Sequence, residues 1–125
     1  GKYSFVIEQG ATFQRELQYF DSNGVPVDLT NYQAKMQIRD QPGSTNLYLT
    51  LSSSFSADGS GLNLNGLYGN KPFSSGSIGV VISAVSSSML NFNEAYYDLD
   101  LYSGSFVDRL IEGKVKLSKQ VTTYA

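Results

Sequence analysis

A chain of 125 residues is one domain's worth, long enough to bury about two thirds of the surface its unfolded form exposes. Hydrophobic residues make up 41%, charged residues only 16%, and the net charge is -2, which excludes a disordered polyampholyte and a basic nucleic-acid binder. The absence of Cys, His and Trp removes thiol nucleophiles, disulfides, imidazole acid–base chemistry and nearly every zinc or copper site.

Period-two alternation dominates the chain. Tyr3, Phe5 and Ile7 alternate with Ser4 and Glu8, and Phe13, Leu17 and Tyr19 with Gln14, Glu16 and Gln18, as in strands with one face in a core. Arg15 interrupts the second inward set, which predicts a strand end or a site where its guanidinium reaches a carboxylate. Asp21-Ser22-Asn23-Gly24 is turn chemistry and closes the first long hairpin. Val25-Pro26-Val27 re-enters as an edge or strand start, because Pro26 has no N–H to give a ladder, and Asp28-Leu29-Thr30-Asn31 makes another corner. Ala34, Met36 and Ile38 form the next inward set, and Asp40-Gln41-Pro42-Gly43 turns the chain into Leu47, Leu49 and Leu51.

Residues 52–76 change to a Ser/Gly/Asn-rich tract, read as a long loop region with one strand at Leu62 to Leu64. Ile78, Val80 and Ile82 resume the pattern, and Ser86-Ser87-Ser88-Met89-Leu90 reads as a short helical turn or corner. Tyr97, Leu99 and Leu101 then point inward against Tyr96, Asp98, Asp100 and Tyr102, and Val107, Arg109, Ile111, Val115 and Leu117 give a final strand. Short strands without convincing helical periodicity imply an all-β sandwich or small barrel, a single domain over residues 1–125. Its expected core includes Phe5, Ile7, Phe13, Leu17, Met36, Ile38, Val80, Ile82, Tyr97, Leu99, Ile111 and Val115.

Three fragments together resemble a family of small immunoglobulin-like proteins of tailed bacteriophages. They are Phe5-Val6-Ile7-Glu8-Gln9-Gly10-Ala11-Thr12-Phe13; Asp21 to Tyr32 running into Ala34-Lys35-Met36-Gln37-Ile38-Arg39; and Tyr96 to Leu101 with Arg109 to Val115. The resemblance covers most of the chain apart from residues 52–76. It implies a single antiparallel immunoglobulin-like β-sandwich of about seven to nine strands. It also implies a non-enzymatic virion structural protein that attaches to or joins other particle proteins in a baseplate, tail or neck. A capsid decoration protein is the nearest alternative, and a carbohydrate-binding module recognising a host surface is the rival from another class. The implied partners are other virion proteins and copies of the chain itself, on a virion assembled after synthesis in the host cytoplasm. Leu90 to Leu99 further resembles the approach to the penultimate strand of immunoglobulin domains, which implies that Tyr97 bonds back across the corner, two residues before core Leu99.

Candidate site residues are few. Leu67, Tyr68, Phe73, Tyr102 and Phe106 lie in or next to loops, where rings at loop tips stack on sugars or insert into partner proteins; they are the expected interface. Asp21-Ser22-Asn23-Gly24 resembles the start of a calcium loop but lacks the closing acidic residue, so no metal is expected. Asp98 and Asp100 share a strand face as solvated carboxylates do, and Ser118 and Lys119 face opposite ways on a strand; neither pair predicts catalysis. No phosphate-binding loop, and hence no cofactor or nucleic-acid partner, is expected. No apolar run is long enough to cross a membrane, no secretory signal opens the chain, and Phe5 stands where a myristoylation motif has Ser or Thr, so no membrane partner is expected.

Overall fold

The computed structural model describes residues 1–122; the last three positions of the single domain expected over 1–125 lie outside the described residues. Among the described residues eight strands run in chain order: β1 (Phe5–Glu8), β2 (Phe13–Gln18), β3 (Gln33–Arg39), β4 (Leu47–Ser52), β5 (Gly61–Asn63), β6 (Ser77–Ile82), β7 (Glu94–Ser103) and β8 (Phe106–Ser118). A five-residue helix, α1 (Ala84–Ser88), links β6 to β7, two residues ahead of the helical turn or corner expected at residues 86–90. The strands form a five-stranded sheet of order β1-β8-β7-β3-β4 and a three-stranded sheet of order β2-β6-β5. The fold is an all-β sandwich of these two sheets. All pairs are antiparallel except β1 with β8, which is parallel.

The core forms where the inward sets of both sheets meet. Ile7, Met36, Ile38, Ile82, Leu99 and Val115 are buried, and the Phe5 ring packs against Phe13 at 5.1 Å and Tyr97 at 4.8 Å between centroids. Leu17 and Ile111, expected in the core, are only partly buried at its margin. The register between β7 and β8 shifts after Leu99, which pairs with Ile111, while Asp100 pairs with Arg109. The extra residue, Leu110, is buried, while Val107 and Arg109, which alternate with it in the final strand, are exposed. A bulge reverses the inward–outward alternation beyond it, so a strict period-two count along β8 misplaces the residues before the bulge.

Two further expectations change. The Asp21–Gly24 turn is present, with Asp21 Oδ1 accepting from the amides of Asn23 (2.8 Å) and Val25 (3.0 Å). It does not close a long hairpin, because β2 pairs with β6, and Val25-Pro26-Val27 makes only an isolated bridge between Phe20 and Pro26. The Tyr97 hydroxyl donates to the carbonyl of Tyr3 at 2.5 Å and not across the β6–β7 corner. The residues before β1 explain that choice: Glu112 exchanges backbone bonds with Gly1 and Tyr3, which lays the segment along β8. Gly113 permits it, because a Cβ there would stand 2.0 Å from the Tyr3 carbonyl oxygen.

Candidate interaction surface

The connections β2–β3, β5–β6 and β7–β8 emerge at one end of the sandwich, because β2 and β7 finish there and β3, β6 and β8 begin there. The β2–β3 connection is held by a buried Leu29, and its corner is set by Asp28 Oδ1, which accepts from the Thr30 amide at 3.0 Å and hydroxyl at 2.6 Å. Those two donors hold the Asp28 carboxyl below its usual range. The next connection is clamped against it. The Leu29 amide donates to the Phe73 carbonyl at 3.0 Å, and the Tyr19 amide to the Gly76 carbonyl at 2.8 Å. Gly76 has φ 66°, and a Cβ there would lie 2.5 Å from the Tyr19 carbonyl oxygen, so only glycine closes this contact.

That clamp presents Phe73 in a single 3-10 turn, Phe73–Ser75, with 40% of its surface exposed. At the same end, Phe20, Val25, Phe106 and Val107 are about half exposed, at 49%, 54%, 57% and 61%. The Phe106 ring lies 6.4 Å from Tyr32, and Tyr102 is half-buried on the outer side of β7 in register with Gln33 and Val107. Of the sequence-predicted set, Phe73, Tyr102 and Phe106 therefore share one end. Phe20, Val25 and Val107 join them without having been singled out: Phe20 follows a strand and precedes a turn, and Val107 reads only as one residue of a final strand until the bulge is known.

Leu67 and Tyr68 lie elsewhere, over the outer face of the three-stranded sheet. The Leu67 amide donates to Glu16 Oε1 at 2.9 Å and Lys71 Nζ to Glu16 Oε2 at 2.6 Å, which together hold the Glu16 carboxyl below its usual range, the Lys71 bond more than the amide. Leu67 is half-buried, and Tyr68 is 79% exposed.

The remaining candidates resolve into local contacts. Arg109 reaches Asp98 and Asp100, each at 3.4 Å. Lys119 Nζ donates to Asn91 Oδ1 at 2.7 Å. Among the described residues Arg15 meets no carboxylate: its guanidinium donates to the Tyr3 hydroxyl and lies over the Tyr3 and Phe13 rings. Among the described residues no cluster of three or more acidic, His or Cys side chains could hold a metal ion, and no helix is long and apolar enough to cross a membrane. Neither a protein-family model nor a curated protein matches the chain.

Proposed function

We propose that the chain is a non-enzymatic structural protein of a tailed-bacteriophage particle, in baseplate, tail or neck, that joins other particle proteins through the loop end of its sandwich. The observation that carries this reading is the group of apolar side chains, Phe20, Val25, Phe73, Phe106 and Val107, left exposed on a rigidly clamped end. Exposed apolar groups gathered on ordered loops are what a protein–protein contact buries. The resemblance of the β1, β3 and β7–β8 segments to phage immunoglobulin-like proteins supplies the particle. A capsid decoration protein would use the same end against a capsid subunit.

The test is incorporation. Phe73→Ser combined with Phe106→Ser should leave the isolated domain's melting temperature nearly unchanged, because both rings are substantially exposed. The same pair should remove the protein from purified particles produced in its presence. A double variant that folds and still enters particles sinks the loop-end attachment.

A carbohydrate-binding module is the second reading, favoured by a cleft of about 180 Å³ on the outer face of the five-stranded sheet. Its lining includes Arg39, Tyr96, Asp98, Arg109 and Glu112, a mixture of ring, guanidinium and carboxylate suited to sugar hydroxyls. Binding of the isolated domain to an immobilised glycan, abolished by Tyr96→Ala, would select this reading over the first.

A further inference from the structure

We propose that the free edge of β2 is a second docking site, built to accept one extended segment of a different protein by strand addition. Among the described residues four strands have a free side, and three of them are poor templates. β1 is four residues long, β5 is three, and β4 carries an irregularity at Tyr48, where Arg39 pairs with Leu47 after Ile38 pairs with Leu49. β2 keeps an uninterrupted register with β6 over all six residues and carries no Pro or Lys.

The backbone alternation says which groups are unused. Tyr19 donates toward the β6 side, to Gly76, so residues 13, 15 and 17 turn their N–H and C=O groups the same way. Gln14, Glu16 and Gln18 turn theirs outward. Beneath this edge the two sheets part. A groove of about 470 Å³ opens over Leu17, Ile78, Leu110 and Ile111, with Lys2 on its far lip. A second, of about 260 Å³, opens beside Val6, Phe13 and Arg15. An added strand would place every second side chain in these spaces while bonding to residues 14, 16 and 18.

The occupant follows from what flanks the edge. The segment before β1 stands under β2, where Arg15 bonds the Tyr3 hydroxyl. A second copy pairing through its own β2 would bring its own Tyr3 and Arg15 into this space, whereas a lone strand needs only the edge and the grooves. Arg15 makes no ion pair among the described residues. The segment that fits is therefore extended, apolar at alternate positions, and carries one acidic residue in register with Arg15.

The probe is a capped seven-residue peptide with threonine at outward positions, valine at inward ones and a single glutamate replacing the central valine. Amide exchange by NMR reads the result. On saturation, exchange at Gln14, Glu16 and Gln18 should slow by about tenfold or more, while amides on the β4 edge stay unchanged. Lysine in place of the glutamate should weaken binding about tenfold. Gln14→Pro, which removes an outward N–H and leaves the β6 ladder intact, should do the same at an unchanged melting temperature. N-methylating the peptide's β2-facing amides tests the same bonds without altering the protein. Unchanged exchange at millimolar peptide, or equal binding of the N-methylated peptide, overturns the site. A free protein that sediments as a dimer with these three amides already protected overturns the occupant and assigns the edge to a second copy.

Discussion

The outer face of the five-stranded sheet is bare and charged, whereas that of the three-stranded sheet is covered by its own chain. On β7 the outward positions are Tyr96, Asp98, Asp100 and Tyr102, groups that tolerate water. On β6 the outward positions are Ser77, Gly79 and Val81, alternating with the buried Ile78, Val80 and Ile82. Gly79 lies opposite Glu16 on β2, and the backbone of Gly66 and Leu67 rests on it, with the Leu67 Cα 2.5 Å from where a Cβ would stand. A tract that looks like spare loop in composition is thus a lid, held by Glu16 and seated on a glycine. Polar side chains keep one sheet soluble; a covering of backbone does so for the other.

The two sheets share a core, and Leu99→Ala should strike both at once. Leu99 is fully buried at the centre of the five-stranded sheet, and truncation should cost about 2 to 5 kcal/mol, through lost burial and the residual cavity. Chemical denaturation measures it, and a loss below about 0.5 kcal/mol would show that the sandwich does not depend on this position. Gly79→Val separates the sheets. Its side chain would collide with the backbone of Leu67 and not with a movable side chain, so the lid must lift, at about 1 to 3 kcal/mol. Hydrogen exchange should show lost protection at Gly66, Leu67 and Lys71, whose amides bond to Asn63, Glu16 and Asn65, while β7 and β8 keep theirs. Tyr97→Phe acts only on the five-stranded side. It strips the hydroxyl that holds the segment before β1, and leaves the Tyr3 carbonyl without that donor; a loss of about 0.5 to 1.5 kcal/mol is expected in thermal melts.

How much of this was legible follows the same division. The five-stranded sheet was readable because its inward residues are large and apolar and its outward ones polar, so Met36, Ile38, Tyr97, Leu99 and Val115 could be placed in the core by alternation. Where alternation broke, at Leu110, no propensity marks the bulge, because the extra residue is itself apolar. The three-stranded sheet was half readable. Ile78, Val80 and Ile82 stood out, but the cover formed by residues 64–71 depends on Glu16 meeting Lys71 across 55 positions, a pairing that no local pattern carries. The strand expected at Leu62 to Leu64 is displaced by one residue to Gly61–Asn63. The loop-end surface was legible as rings near turns, and its full membership required knowing which connections share an end.

The smallest expected effect is also the sharpest comparison, because one carboxylate on each side responds to acid with opposite sign. Asp58, in the tract leading to β5, accepts from the hydroxyls of Ser56 (2.5 Å), Ser83 (2.6 Å) and Ser86 (2.5 Å) and from the Ser60 amide (3.0 Å). These donors, Ser56 foremost, stabilise the charged form and hold its carboxyl far below the ordinary value of 3.8. Asp98, on the bare face, is pushed above 3.8, first by burial and then by Asp100 and Glu112, against the attraction of Arg109 and Arg39. A lowered folded value means that Asp58 stabilises the fold fully above about pH 3.8 and loses that contribution as the pH falls further. A raised folded value means that Asp98 penalises the fold at neutral pH, and that the penalty is relieved between its raised value and about pH 3.8. Asp58→Asn should therefore lower the melting temperature at pH 7, with the difference from wild type shrinking below about pH 4. Asp98→Asn should raise it slightly at pH 7, with the difference vanishing as Asp98 protonates above that point. Both are read as wild-type-minus-variant melting curves across pH, so that the other carboxylates cancel. Two variants shifting in the same direction at pH 7 would mean that the serine cage around Asp58, or the crowding of carboxylates around Asp98, does not govern the charge it surrounds.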